Sequence, residues 1–197
     1  MNILSPKDYK KMPWKNGKGT TTEIAIYPPD STLNANNFIW RLSSAEISES
    51  GNFSEFSDCN RSLIISSGNG VRLTFSDNEK TLLAGEVFNF DGSKKIHCAL
   101  INGPVHDVGL ISKKDHVRTE FQLLEKNLKE YKLQKGTHII LSVAGKVRIE
   151  TTTGTWTLET LSTAILNTQI IEDISIEVAG TAIYLLISIF DKNKCSQ

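Results

Sequence analysis

The densest group of chemically useful residues in the chain lies in the segment Met12–Ile26. Six consecutive residues supply an aromatic ring, cations, an amide and two glycines, in the order Trp14-Lys15-Asn16-Gly17-Lys18-Gly19. Three threonines and Glu23 follow directly. Ammonium, amide and hydroxyl groups all donate hydrogen bonds to anionic oxygen. We therefore expect this segment to line a pocket on a β-scaffold.

Gly17 and Gly19 also fit a second kind of site, a phosphate-binding loop, because glycine tolerates unusual backbone conformations. Such loops join a strand to the N-terminus of a helix, where backbone N–H groups point at the anion. No strand–glycine–helix pattern surrounds these two glycines. The phosphate interpretation is therefore weak.

Trp14 fits two roles equally well, a lid over a ligand or a plug at the end of a barrel.

The overall composition is that of a soluble globular protein of one or two domains. The 197 residues are 39% hydrophobic and 22% charged, and 22 basic residues balance 22 acidic ones. A chain of this length can bury a sizeable hydrophobic core. No block of like charge is present, so we expect neither nucleic acid nor a membrane surface as a partner.

The sequence also predicts a cytoplasmic location. The N-terminus lacks the apolar stretch of a signal peptide, and the longest apolar run, near Ala182–Phe190, is too short to span a bilayer. The three cysteines, Cys59, Cys98 and Cys195, are odd in number and form no CxxC pair. A reducing compartment with incidental thiols is the simplest interpretation.

Two elements position the opening segment. Ser5-Pro6-Lys7-Asp8 resembles a helix start and predicts a short N-terminal helix that Pro13 ends. Thr20–Tyr27, which follows the glycines, is rich in β-forming residues.

Phe38–Ile47 predicts a strand that is covered on both faces, because neither set of alternate residues is plainly suited to solvent. Arg41 and Ser43 would then point into a partly polar interior. The alternative is that Arg41 lies at a barrel mouth or on the surface.

An internal repeat gives the clearest evidence on fold class. Leu63–Leu73 is a strand, a glycine turn and a second strand, and Ile139–Ile149 repeats this pattern about 76 residues later. Each copy continues with a hairpin-like stretch and closes on an apolar strand, Lys95–Ile101 in the first copy and Ala182–Ile189 in the second. Many short strands with frequent turns predict an all-β sandwich or barrel, and two copies predict a duplicated one.

The segment 117–131 fits two patterns. Its apolar residues recur with helical spacing. The alternative is a strand Val117–Leu124, a turn at residues 125–127 and a strand Leu128–Leu133. We predict the two strands, because the second copy of the repeat needs an opening strand.

A duplicated barrel built from strand–glycine–strand hairpins resembles a bicupin, and the motifs resemble the HutD/Ves family. The matching stretches cover about residues 10–115, and the second half matches only as a generic cupin half. They are Met12–Gly17, Thr21–Ile24, Trp40–Ala45, Gly51 with Phe53, Ser54 and Phe56, Arg61 with its following strand, and Gly103–Val105 with Asp107. The family usually has glycine at Lys18 and arginine at Thr22, so the detail of the pocket rim differs.

The resemblance implies an all-β, duplicated cupin-type barrel with halves 1–115 and 116–197 packed as one compact unit. It also implies a role beside histidine utilisation or stress response. The expected ligand is a small acidic metabolite, N-formylglutamate or a related pathway intermediate, and no reaction is known for the family.

We expect no metal and no other cofactor. Metal cupins carry two histidines one residue apart, followed by a glutamate and a further histidine. The four histidines here, at positions 97, 106, 116 and 138, do not have that spacing. A catalytic metal needs about three protein ligands.

The cations Lys15, Arg41 and Arg61 remain as the candidate ligand-binding groups. A buried arginine is costly unless an anion or several acceptors satisfy it, and arginine binds a carboxylate through two parallel hydrogen bonds. The full set of candidate ligand-binding residues is Trp14, Lys15, Asn16, Thr20, Glu23, Arg41, Ser43, Arg61 and Asp107, with no catalytic residue among them. The alternative is that Arg41 and Arg61 pair internally with Glu23, Asp107 or Glu46.

Two further functions stay open. The chain is an enzyme in one of them, an isomerase or hydrolase that uses Lys15, His97 or Asp107. In the other it is an interaction module whose barrel faces form a homodimer or bind a partner.

Overall fold

The structure is a computed structural model that describes residues 1–13, 19–125 and 128–192. The described residues form β-strands joined by turns, and no helix among them has the length and apolar character that a membrane crossing requires. The strands are β1 (Asn2–Leu4), β2 (Lys10–Pro13), β3 (Gly19–Tyr27), β4 (Trp40–Ile47), β5 (Gly51–Asn52), β6 (Cys59–Ser67), β7 (Val71–Thr74), β8 (Glu79–Leu82), β9 (Val87–Asp91), β10 (His97–Leu100), β11 (Val105–Lys113), β12 (Val117–Leu124), β13 (Leu128–Leu133), β14 (Gly136–Ala144), β15 (Val147–Thr151), β16 (Gly154–Leu158), β17 (Thr163–Thr168), β18 (Glu172–Val178) and β19 (Ile183–Asp191).

The chain divides into two units. The first unit is Tyr9–His116, and the second combines Met1–Asp8 with Val117–Gln197. The first unit has a six-stranded sheet, β2-β3-β4-β11-β6-β9, and a four-stranded sheet, β5-β10-β7-β8. The second has a five-stranded sheet, β1-β17-β14-β19-β12, and a four-stranded sheet, β13-β18-β15-β16. All pairs of neighbouring strands within these sheets are antiparallel.

The predicted duplication is confirmed strand by strand. The order β4-β11-β6-β9 of the first unit recurs in the second as β12-β19-β14-β17, and β5-β10-β7-β8 recurs as β13-β18-β15-β16. The correspondence proposed for the closing strands is wrong, however. Ala182–Ile189 falls on β19, whose counterpart is β11, whereas Lys95–Ile101 falls on β10, whose counterpart is β18. Similar apolar composition made two non-equivalent strands look alike, and only their pairing partners separate them.

The predicted N-terminal helix is also wrong, because residues 5–8 form a turn. The Ser5 N–H and Oγ–H both donate to Asp8 Oδ2 at 2.8 Å, and the Asp8 N–H donates to the Ser5 carbonyl at 2.9 Å. These bonds resemble those of a helix cap. Strand β1 ends at Leu4 and β2 begins at Lys10. The residues on either side of the turn therefore belong to strands of two different sheets, which leaves too few residues for a helix.

The two strands predicted in the ambiguous segment are confirmed. Strand β12 pairs with β19 from Val117 opposite Asp191 to Leu124 opposite Tyr184, and β13 pairs with β18 over its whole length. Long-range pairing therefore overrides a helical spacing of apolar residues. The predicted turn between the strands includes Lys126 and Asn127, which lie outside the described residues.

Glycines make the repeated hairpins tight. Gly68 lies between β6 and β7 with a φ of 100°, and Gly145 lies between β14 and β15 with a φ of 78°. A Cβ on Gly68 would lie 2.7 Å from the Pro104 carbonyl oxygen, and one on Gly145 would lie 2.6 Å from the Ala182 Cβ. Both positions therefore exclude a side chain by backbone conformation and by space.

The two units have different interiors. A large apolar cluster fills the second unit, and within it the Tyr131 and Tyr184 hydroxyls lie 2.8 Å apart and hydrogen-bond to each other. The first unit also has an apolar cluster, around Leu63 and Leu73, but it buries Arg41 and Asp107 as well. The polar interior expected from Phe38–Ile47 is thus present in the first unit.

We expect Gly68→Ala to destabilise the first unit more than Gly103→Ala. Both glycines have positive φ, but a Cβ on Gly103, with a φ of 113°, would meet no atom within 4 Å. Conformational strain alone costs Gly103→Ala about 1 kcal/mol. Gly68→Ala adds a steric overlap and should cost about 3 kcal/mol. Urea unfolding of the two variants measures the difference, and equal losses would contradict the packing explanation.

Candidate functional site

The first unit encloses a cavity of about 570 Å³. Its walls come from β4, β6 and β11 and from the segment 49–56. Four charged side chains of the described residues line it: Arg41, Glu49, Arg61 and Asp107. Leu63 and Ile111 supply apolar surface between them. The cavity is therefore an amphipathic site with fixed charges of both signs.

Arg41 is the most deeply buried cation of this site. The residue is 3% exposed on β4. Its Nε donates to Glu23 Oε2 at 2.6 Å and its Nη1 donates to Ser43 Oγ at 3.4 Å. Its Nη2 is buried and has no hydrogen-bond partner among the described residues. Such an unpaired buried group is costly, and buried polar groups of this kind are rare.

Glu23 lies on the same face of the sheet as Ser43 and Arg41, next to a β-bulge of β3. The register of β3 against β4 shifts between Glu23, which is opposite Ser43, and Ala25, which is opposite Leu42. Bulges redirect side chains and occur often beside functional sites. Internal pairing of Arg41 with Glu23, one of the open alternatives, is therefore found. Glu23 forms an ion pair with Arg41 but does not itself line the cavity.

Asp107 lies on β11 opposite Ala45, beside a second bulge of the same sheet. The pairing of β11 with β6 shifts between His106 and Asp107. Asp107 Oδ1 accepts a hydrogen bond from the Ala45 N–H at 2.9 Å, while Oδ2 has no partner among the described residues. Burial raises the pKa of Asp107 to about 7, although the Ala45 N–H and the charge of Arg61 act to lower it. This carboxyl group can therefore gain or lose a proton near neutral pH.

Arg61 provides the second guanidinium. Its Nη1 donates to the Ser54 carbonyl at 3.1 Å, and the rings of Phe53 and Phe90 lie 5.0 and 5.1 Å from its Cζ. Within the described part of the chain it forms no ion pair. Burial lowers the pKa of the guanidinium and the charge of Asp107 raises it, but arginine remains cationic throughout. Aromatic packing thus holds a cation with unused donors at the cavity wall.

The remaining predicted site residues fall into three groups. Ser43 lines the cavity. Thr21 lines it in place of Thr20, because successive side chains of a strand point to opposite faces. Trp14, Lys15 and Asn16 lie outside the described residues.

Sequence reasoning missed Glu49, Asn52 and Cys98, which also line the cavity. Only the proximity of Glu49 and Asn52 to the Gly51–Phe56 motif could have indicated those two residues. Nothing in the sequence indicates Cys98, which is a buried free thiol.

The histidines are separated from one another in the structure. His97 contacts Asn52 Oδ1 at 3.0 Å, and His106 contacts Ser67 Oγ at 3.3 Å, both at exposed positions. His138 is buried in the second unit between Ser188 Oγ at 2.9 Å and the Gln134 carbonyl at 2.8 Å. Among the described residues, no three His, Cys, Asp or Glu side chains are grouped so that they could hold a metal ion.

The duplicated sheets define an all-β protein of the cupin class. Oxalate decarboxylase from Bacillus subtilis, a bicupin, superposes with a TM-score of 0.68 over 95% of this chain and 76% of its own, at 7% identity. That likeness concerns the fold alone. HutD from Pseudomonas fluorescens superposes with a TM-score of 0.83 at 29% identity, over 97% of this chain and 98% of its own.

The HutD family model matches residues 6–186, and the chain belongs to this family. An uncharacterised 21.2 kDa protein encoded in the hutC 3′ region of Pseudomonas putida is 33% identical, over 74% of this chain and 80% of its own length. Protein Ves from Cronobacter sakazakii is 29% identical, over 70% of this chain and 76% of its own length. The HutD/Ves resemblance is confirmed, and family membership links the chain to histidine utilisation.

Glu23→Gln should lower the free energy of unfolding by about 2–4 kcal/mol, because it leaves the buried Arg41 cation without its charged partner. Glu159→Gln is a matched control. Glu159 pairs with Lys146 at 2.8 Å, but both side chains are more than 60% exposed, so its loss should cost less than about 1 kcal/mol. Denaturant unfolding measures both variants, and equal effects would contradict the burial argument.

Asp107 should make stability depend on pH. Its pKa is about 7 in the folded protein and about 3.9 in an unfolded chain. The folded state therefore binds more protons between these values, and stability falls as pH rises from about 4 to 7, by on the order of 3 kcal/mol. Asp107→Asn should remove this slope, whereas Asp77→Asn, at an exposed turn, should retain it. Urea unfolding across pH 4–8 tests this, and an unchanged slope in Asp107→Asn would contradict it.

Proposed function

We propose that the cavity of the first unit binds a small carboxylic acid of histidine degradation, N-formylglutamate or another intermediate, without a metal ion. We further propose that this binding gives the protein a regulatory role in histidine utilisation. The pathway follows from family membership. The ligand class is inferred from the cavity.

One observation carries the ligand class, namely two guanidinium groups with unused donors in one cavity. Among the described residues, Arg61 donates only from Nη1, and the Nη2 of Arg41 has no partner. A guanidinium offers five N–H donors in a planar fork that matches a carboxylate. An acid that binds there would satisfy donors that folding leaves unpaired.

Cavity size and expected affinity agree with this function. A volume of about 570 Å³ falls within the range of about 300–1,000 Å³ that is usual for small-molecule pockets. Charged hydrogen bonds contribute roughly 1.5–3 kcal/mol each. After the costs of association, a few such bonds give dissociation constants between about micromolar and millimolar. Affinities in that range suit a protein that responds to metabolite concentration.

Calorimetric titration with N-formyl-L-glutamate and L-glutamate tests the proposal. At least one acid should bind, and Arg61→Gln should weaken it about 10-fold or more, because a charged hydrogen bond is lost. Arg72→Gln, at an exposed position on β7, should bind like the unaltered protein. Treatment with a chelator should leave the affinity unchanged. Failure of every histidine-pathway acid to bind would contradict the proposal.

A metal-independent enzyme is the second candidate, and Asp107 favours it. A carboxyl group that titrates near pH 7 can accept and return a proton in a general acid–base step. Mass spectrometry of the bound acid after incubation separates the two functions. An unchanged ligand supports binding alone, and a product that Asp107→Asn does not form supports catalysis.

A further inference from the structure

Asp107 and Arg61 face one cavity as opposite charges that protein groups satisfy only in part. Asp107 is 8% exposed, and Ala45 N–H occupies Oδ1 but no described residue donates to Oδ2. Arg61 donates one hydrogen bond, from Nη1 to the Ser54 carbonyl. When Asp107 is ionised, the site therefore offers a free acceptor as well as free donors. A simple carboxylate can then use only the donors.

We propose that the site selects acids that also carry an N–H group, with the carboxylate of the ligand on Arg61 and its N–H donating to Asp107 Oδ2. This inference rests on the proposed function, because it refines the class of acid that the cavity binds. Amide N–H and ring N–H groups share the required chemistry.

The selection has a physical basis in the unpaired oxygen. An acid without an N–H would leave Oδ2 of the ionised Asp107 buried and without a donor. An acid with an N–H pairs both groups of the site. Sites built to pair a ligand donor reject analogues that lack it far more strongly than apolar pockets reject a change in size.

Asp107→Asn replaces a hydrogen-bond acceptor at this position by a donor and keeps the size of the side chain nearly unchanged. The buried Ala45 N–H still requires an acceptor, so the amide oxygen takes the place of Oδ1. The amide NH₂ then takes the place of Oδ2 and presents a donor to the cavity. The variant should therefore lose its preference for ligands with an N–H.

The experiment compares two probes that differ in one group: N-formyl-L-glutamate and its ester analogue, in which oxygen replaces the N–H. A second pair, imidazole propionate and furan propionate, separates a ring N–H from an amide N–H. Calorimetric titration of each probe gives the affinity ratio within each pair. Circular dichroism and thermal unfolding establish that each variant is folded.

The unaltered protein should bind the N–H probe of at least one pair 10-fold or more tightly than its partner. Asp107→Asn should reduce that ratio to about 3-fold or less while it still binds the ester or furan probe. Asp77→Asn should keep the ratio of the unaltered protein.

Equal affinities within both pairs would overturn the inference and leave the proposed function intact. A ratio that Asp107→Asn leaves unchanged would overturn it as well. If none of the four probes binds, the inference fails, whereas binding of another pathway acid such as L-glutamate would leave the proposed function intact. Because the ratio is first measured on the unaltered protein, the test holds even if Asp107→Asn does not fold.

Discussion

The first unit depends on the burial of one guanidinium group inside a sheet. Arg41 is almost inaccessible to solvent, and burial of a cation is tolerated only where acceptors surround it. Glu23 and Ser43 provide two of these acceptors. They leave one nitrogen unpaired, so folding satisfies the cation incompletely. Arg41 also lines the cavity of the first unit.

Regular pairing of three strands brings the charges around this cavity onto one face of a sheet. Glu23 on β3 is opposite Ser43 on β4, and Asp107 on β11 is opposite Ala45 on β4. Residues opposite each other on neighbouring strands share a face, so both carboxyl groups lie on the face of Arg41. The second unit repeats the same strand order but packs its interior with apolar side chains and a tyrosine pair. Duplication thus produced one core in which a large apolar cluster dominates and one core that also holds fixed charges.

Sequence reasoning recovered the features that depend on local pattern and repetition. It predicted the strands of both copies, the inward direction of Arg41 and the family. It failed at Ser5–Asp8, where the same hydrogen bonds that cap a helix close a turn between strands of two sheets. It also matched Lys95–Ile101 with the wrong strand, because apolar composition carries no information about pairing partners.

The sequence by itself determined which groups are present and which face of a strand each can use. It placed arginines, a carboxyl group and glycine turns within β-rich stretches. Only the tertiary structure decided that Thr21 rather than Thr20 lines the cavity, and that Asp107 and Arg61 line the same cavity. Pairing of β11 with β4 and with β6, which are distant from it in sequence, sets the second of these arrangements. The raised pKa of Asp107 likewise comes from burial by the surrounding sheet, and no local pattern encodes burial.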